Sequence, residues 1–338
     1  MRYRRRDIVA AALLSPVVVL GTQMRAGAQT VLKFSHTDNP GGSRQAAAEL
    51  FARKVEEYAQ GRYKVQVYPA GQLANDPKAV EQLQLGGIDF TVTALGTYAA
   101  QVRSLNLPSL PFLVENYEQG WALYDKSPWL QGEFAKLPAK GIRIISTLEA
   151  GFRSFTTKMP MNSPADAKGK KIRVYPNDMI RWIMESFGFS PVVLPVTEVY
   201  LAIQQGTVIG QENPVDTIYS LRFYEVAPYI TLTQHVYSPI PLTVSETTWK
   251  RFSDADKVGV TKAAQEAAAY SRKLVTEAEA GQLKEMESKG AKVNRPDIGP
   301  WREAAKGAYE KAKAVYGDDV DKILAAAEAI RREYPAKK

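Results

Sequence analysis

Residues 31–93 read VLKFSHTDNPGGSRQAAAELFARKVEEYAQGRYKVQVYPAGQLANDPKAVEQLQLGGIDFTVT, and this stretch decides the fold. Val31 to His36 is a short strand pattern. Ala46 to Tyr58 follows with apolar residues at helical spacing (Ala47, Leu50, Phe51, Val55, Tyr58), and Gly61 closes that helix. Tyr63 to Tyr68 alternates as a half-buried strand does and stops at Pro69-Ala70-Gly71. Asp76-Pro77 opens a second helix, with Asp76 read as its cap and proline in the first turn. It runs through Val80, Leu83 and Leu85 to Gly86-Gly87, and Ile88 to Thr93 forms a third strand. Strands and helices alternating at this spacing imply right-handed βαβ units and a parallel sheet.

Beyond this unit, Leu107 to Phe112 is a proline-punctuated loop, Trp121 to Phe134 a helical stretch and Gly141 to Ser146 a strand. A second α/β series then begins. Lys171 to Val174 is a strand, Met179 to Phe187 a helix, Ser190 to Leu194 a strand and Glu198 to Gln205 a helix. Gly210 to Pro214 reads as a turn, and Val236 to Val244 returns the chain to the first unit. From Asp254 the sequence is helical and Ala/Glu/Lys-rich, interrupted only between Val293 and Gly299. We therefore expect two lobes, one from residues 29–150 and 239–278, the other from 151–238 and 279–338. No Gly/Ser-rich linker separates them, so a hinge has to sit in ordinary strands and helix ends crossing between the lobes.

The first residues speak to location. Arg2, Arg4, Arg5 and Arg6 precede an apolar run from Ile8 to Leu20, and Ala26-Gly27-Ala28 is a small-residue cleavage pattern. Residues 1–28 are expected to be a signal peptide, with the mature start near Gln29 and a periplasmic destination. Arg5-Arg6 before Asp7-Ile8-Val9 also resembles a twin-arginine signal. Without cysteine there is neither a disulfide nor a thiolate metal site nor a lipid anchor on a cysteine. The formal charge of +8 falls to +4 once the five Arg and one Asp of residues 1–28 are set aside. That bias attracts anions and is too weak to argue for nucleic acid.

The catalytic inventory is thin. His36 and His235 are the only two histidines, and neither stands in a metal-ligand spacing. No GxSxG, Walker A or GxGxxG pattern occurs. No metal or cofactor is expected. A different cluster is informative: Arg153 after Gly151-Phe152, Arg173 between Ile172 and Val174, and Asn213 in Gln211-Glu212-Asn213-Pro214. If Ile172 and Val174 are buried in a sheet, Arg173 points to the opposite face. There it meets solvent, a structural ion pair, or the carboxylate of a ligand, which a guanidinium grips with a planar donor fork.

Several ordered motifs decide between these. They are Phe152-Arg153; Gly169-Lys170-Lys171-Ile172-Arg173-Val174; Glu198-Val199-Tyr200-Leu201 with Gln204-Gln205-Gly206; and Gly210-Gln211-Glu212-Asn213-Pro214. Tyr68-Pro69, Gln72-Leu73, Glu81-Gln82-Leu83, Asp89-Phe90 and Leu110-Pro111-Phe112 agree. Across essentially the whole mature chain the sequence resembles the substrate-binding proteins of tripartite ATP-independent periplasmic (TRAP) transporters, the DctP-like family. The resemblance implies an α/β, two-lobed periplasmic binding protein fold (type II-like), with the ligand cleft between the lobes and a helical C-terminal region. It implies that Arg173 pairs with the ligand carboxylate, that Arg153 adds a second cationic contact and that Asn213 hydrogen-bonds nearby. His36, Thr37, Asn39, Gln72, Asn75 and Thr93 are the polar contacts it implies from the first lobe. Ile209 stands where the family commonly has Asp, and Val196 where some relatives place an aromatic; Tyr175, Pro176 and Asn177 are expected to refill that space. A small organic-acid anion is the expected ligand, a sugar acid or hydroxy acid first and a C4-dicarboxylate next. The expected partners are the membrane subunits of the transporter, with the protein itself a monomer. The alternatives are a binding component of an ATP-driven importer and, from another class, a periplasmic enzyme acting on a hydroxy acid.

Overall fold

The structure is a computed structural model describing residues 29–336; the expected signal segment, residues 1–28, lies outside the described residues. In chain order the strands are β1 (Thr30–Ser35), β2 (Tyr63–Tyr68), β3 (Phe90–Val92), β4 (Ile142–Leu148), β5 (Phe152–Thr157) and β6 (Lys171–Val174). There follow β7 (Ser190–Val193), β8 (Gly210–Pro214), β9 (Tyr229–Tyr237), β10 (Ile240–Ser245) and β11 (Lys292–Asn294). They form a five-stranded sheet, β2-β1-β3-β10-β4, and a six-stranded sheet, β11-β9-β5-β8-β6-β7, one to each lobe.

Neither sheet is purely parallel, contrary to expectation. β1, β2 and β3 pair in parallel, but β10 runs antiparallel to both β3 and β4. It arrives from β9 of the other lobe after only Ser238-Pro239, with no crossover helix to turn it round. Gly210 to Pro214 is likewise not a turn. It is a fully buried strand between β5 and β6. A Cβ on Gly210 would lie 2.0 Å from the Thr156 carbonyl oxygen, so this glycine marks a close backbone approach inside a sheet. β11 sits in the C-terminal region read as having no strand, and pairs with β9. The second helix is capped by Asn75, whose side chain accepts from the Lys78 amide at 3.2 Å. Asp76 is the first helical residue, which frees its carboxylate for other work.

Apolar packing fixes each lobe. In the first, the helix Ser43–Tyr58 lays Phe51 against Phe34 and Phe90, with ring centroids 5.7 and 5.0 Å away. In the second, Phe155 of β5 meets Phe187, His235 and Trp301 at 6.0, 4.9 and 5.3 Å. The helix Asp254–Ser288 ties the two together. Its 35 residues span roughly 52 Å. Val260, Ala263, Ala264 and Ala267 enter the first core, while Leu283 and Met286 enter a core in the second lobe. The helix Asp318–Glu333 reaches back to the helices Tyr117–Lys126 and Pro128–Phe134.

The crossing between lobes is built around Glu149, buried between β4 and β5. Its carboxylate accepts from Trp121 Nε1 at 2.7 Å, Tyr237 Oη at 2.8 Å and the amides of Ala150 and Gly151 at 3.0 and 2.8 Å. Tyr237 ends β9, so one carboxylate grips both strands that cross. Among the described residues, no helix is long and apolar enough to cross a membrane.

Trp301 is fully buried on the helix Gly299–Tyr316. Trp301→Ala leaves a void among Phe155 and Phe187 that the helix cannot close. It is expected to cost about 3–5 kcal/mol of stability in urea unfolding.

Candidate ligand-binding site

Two arginines from adjacent parts of the second sheet are buried side by side, and they are not equivalent. Arg153 on β5 is 3% exposed, and its partner Glu212 on β8 is 0% exposed. Arg153 Nε donates to Glu212 Oε2 at 2.5 Å, and its Nη2 donates to Oε1 at 2.7 Å and to the Glu212 carbonyl at 2.7 Å. Nη2 also reaches Asn213 Oδ1 at 3.1 Å, Nη1 reaches Ser238 Oγ at 3.3 Å, and the guanidinium lies over the Tyr175 ring at 5.1 Å. His235 Nε2 stands 3.4 Å from Glu212 Oε2. Burial pulls the Arg153 guanidinium down, but the Glu212 carboxylate outweighs it and the net shift is upward. Burial pushes Glu212 up, and Arg153 with His235 overrides that to hold it below the usual carboxylate range. Arg153 is therefore a neutralised cation.

Arg173 is different. β6 places it between Ile172 and Val174, all three buried, and in register with Gln211 of β8. Its Nε donates to the Leu194 carbonyl at 2.8 Å, and among the described residues this is the guanidinium's one hydrogen bond to protein. Burial pushes Arg173 down to about 10, against the upward pull of Glu212 and Asp76 and with Arg153 adding to the fall, which still leaves it charged at neutral pH. The chain thus holds a desolvated cation whose outer nitrogens are uncommitted.

Both arginines line a narrow cleft between the lobes, with about 40 Å³ of water-accessible space. Tyr175, Asn213, Val196 and Thr217 line it from the second lobe, and Thr37, Thr97, Arg44 and Asp76 from the first. Thr37 Oγ1 donates to Asp76 Oδ1 at 3.0 Å and accepts from Arg44 Nη1 at 3.2 Å. Burial pushes the Asp76 carboxyl up, opposed by Arg44, Thr37, Arg173 and Thr93. Sequence reasoning missed Arg44 and Asp76. The first looks like one more cation on an amphipathic helix, and the second was assigned to capping.

The structure thus brings together Arg173, Arg153, Asn213, Tyr175 and Thr37 on one cleft. Thr93 stands just behind it, its hydroxyl 3.2 Å from that of Thr97. His36 does not line the cleft: it is buried, with Nε2 2.7 Å from Gln45 Oε1 and Nδ1 accepting from the Asp38 amide at 3.2 Å. Asn39 instead bridges the lobes, donating to the Ser220 carbonyl at 2.9 Å. Gln72 is exposed and Asn75 is spent on its cap. Asn177 caps the helix Asp178–Ser186 and donates to Asn106 Oδ1 at 2.6 Å, away from the cleft lining. Among the described residues, no group of three or more His, Cys, Asp or Glu converges as metal ligands would.

A two-lobed α/β protein with a cationic cleft between its lobes and sheet crossings for a hinge is a solute-binding protein by architecture. The family model described as bacterial extracellular solute-binding protein, family 7 (DctP), matches residues 34–314, and the chain belongs to that family, the binding proteins of TRAP transporters. The sialic acid-binding periplasmic protein of Vibrio cholerae is 31% identical over 311 residues, covering 92% of this chain and 97% of that one. A TRAP periplasmic solute-binding protein from Polaromonas sp. JS666, solved with D-erythronate, superimposes with TM-score 0.85 at 33% identity, over 88% of this chain and 98% of that one. Another, from Sulfitobacter sp. NAS-14.1 with β-D-galacturonate, gives TM-score 0.85 at 32% identity, over 88% and 100%.

His36 supplies a check on this first-lobe packing. Burial, with Arg44 adding to it, lowers its pKa from 6.5 to about 4. The unfolded chain therefore binds the proton more readily between those values, and this contribution to stability is lost as pH falls from 6.5 to 4. In urea unfolding at pH 7 and pH 4, His36→Gln is expected to reduce the acid-induced loss of stability by about 3 kcal/mol relative to wild type.

Proposed function

We propose that the protein captures a small organic-acid anion in the periplasm, by an arginine–carboxylate contact and hinge closure, and delivers it to the membrane subunits of a TRAP transporter. The observation that carries this is Arg173, a buried cation with uncommitted donors at the cleft. A bidentate carboxylate fits that fork, and each charge-assisted bond contributes about 1.5–3 kcal/mol. Sugar acids, hydroxy acids and C4-dicarboxylates all carry the required group. Erythronate and galacturonate, held by the relatives, are of this kind. Asn213 and Arg153 border the same spot, with Arg153 acting through the Glu212 pair as a fixed dipolar wall more than as a second free charge.

Closure brings polar groups of the first lobe onto the bound anion. The rim supports this reading: Ser220 Oγ bonds to Asp38, Ser43 Oγ bonds to Asp216, and Asn39 reaches the Ser220 carbonyl. A partner that recognises only the closed form distinguishes loaded from empty receptor. The protein is read as a monomer, and as a receptor without turnover because both histidines are buried in hydrogen bonds off the cleft lining. Residues 1–28 are read as the export signal, in which Arg5-Arg6 resembles a twin-arginine pair.

Calorimetry and melting against a panel of organic acids test the proposal. One acid should stabilise the protein by about 2.7 kcal/mol at a hundredfold excess over its Kd, and it should be recovered unchanged after incubation. Arg173→Ala should abolish binding. Arg173→Lys should cost tenfold or more, about 1.5–3 kcal/mol, because an ammonium has no bidentate fork. Unchanged affinity in both variants contradicts the assignment.

A further inference from the structure

Outside the cleft the two lobes form a second surface, which capture of an anion does not use. Asn39 and Ala70 of the first lobe face Thr197, Tyr200, Leu221 and Arg222 of the second across an open groove with about 410 Å³ of water-accessible space. Neither lobe holds this groove alone. Asn39 brings its walls into register by donating to the Ser220 carbonyl at 2.9 Å, so the groove exists only while the lobes are together. Each wall carries a non-glycine residue in the left-handed region, Ala70 at φ 53° and Arg222 at φ 55°. Residues of this kind are held there by their surroundings against a backbone cost. The Ala70 amide donates to the Asp38 carbonyl at 2.8 Å, and the Arg222 amide donates to the Tyr219 carbonyl at 3.1 Å. The Arg222 side chain is 68% exposed, and among the described residues its guanidinium makes no hydrogen bond. Glu225 stands 3.8 Å from it and accepts from the Tyr200 hydroxyl at 3.0 Å.

We propose that this groove is where the membrane subunits of the transporter read the closed receptor, by seating an acidic loop whose carboxylate takes the Arg222 guanidinium. This rests on the reading of the protein as a transporter's receptor. A planar fork of free donors suits a carboxylate, and Leu221 and the Tyr200 ring give an apolar wall for the side chains next to it. A loop that touches both lobes gains its full contact only from the closed form, which is the discrimination a loaded-receptor reader needs. The motif Glu198-Val199-Tyr200-Leu201 thereby acquires a role that anion capture does not give it.

The chain has no cysteine, so Thr197→Cys places a single thiol on the groove wall. The full chain is mixed with the membrane subunits in proteoliposomes, with whichever of erythronate, galacturonate or succinate stabilises it. A maleimide should label that thiol about tenfold more slowly with acid and membrane subunits together than with acid alone. Lys306→Cys, on the helix Gly299–Tyr316, should label at the same rate in both. Arg222→Ala should bind the acid within about twofold of wild type, while its capture by the membrane subunits falls about tenfold. Arg222→Glu should lose capture altogether and keep acid binding, and Arg222→Lys should fall between alanine and wild type. Melting checks each fold, and if the Arg222 variants melt early the thiol decides alone. Unchanged labelling in the complex, or Arg222→Glu captured as well as wild type, overturns the groove and leaves the receptor reading intact. Protection that needs only a higher concentration of the protein itself assigns the groove to a second copy and overturns the proposal too. No binding of any of the three acids overturns the receptor reading and the groove with it.

Discussion

The buried pair between Arg153 and Glu212 sets the terms for everything around it. Two guanidiniums are taken out of water within one sheet, and the protein supplies one deeply buried carboxylate between them. A buried charge without a partner is costly. Glu212 gives its hydrogen bonds to Arg153, through both oxygens and its own carbonyl, with His235 bracing the far side. Arg173 feels Glu212 and Asp76 only through their charge and is left as the guanidinium with no carboxylate bonded to it. In the proposed cycle a ligand carboxylate completes what the fold leaves open, so binding energy comes from relieving a desolvated cation already held in place.

The same constraint links the site to motion. Arg173 belongs to the second lobe, whereas Thr37, Arg44 and Asp76 belong to the first, so the charge is enclosed only when the lobes meet. The rim shows how they meet. Gly42 has no room for a side chain, since a Cβ there would fall 2.4 Å from Asp38 Oδ2 and 2.7 Å from Ser220 Oγ. Behind the cleft, Glu149 binds both crossing strands and the long helix Asp254–Ser288 runs past the crossing, with Ser271 Oγ accepting from the Glu149 amide at 2.9 Å. The proposed closure requires a bend only in these few residues, with each core intact.

Much of this was legible in the sequence where local pattern and environment agree. The Ile-Arg-Val strand around Arg173, the alternation of Tyr63–Tyr68 and the first helix all form where periodicity places them. β8 was not legible, because Gly-Gln-Glu-Asn-Pro has the composition of a turn. It is a strand because its polar side chains find partners inside: Glu212 in Arg153, Gln211 in Thr156 and Asn213 in Gln211. Arg153 looked like a free cation because its carboxylate lies 59 residues away, beyond any local pattern. Asp76 was hidden by a plausible capping role that Asn75 fills instead. His36, close in sequence to the cleft-lining Thr37, is turned inward by Gln45. For Arg153 the deciding contact is tertiary, whereas for Asp76 it is a local cap placed one residue earlier.

The most direct measurement is a crystal structure of the protein with a bound aldonate. The account requires the ligand carboxylate on the outer nitrogens of Arg173 at about 2.7–2.9 Å, with the Arg153–Glu212 pair intact beside it. A carboxylate that displaces Glu212 from Arg153, or that lies away from Arg173 altogether, contradicts it.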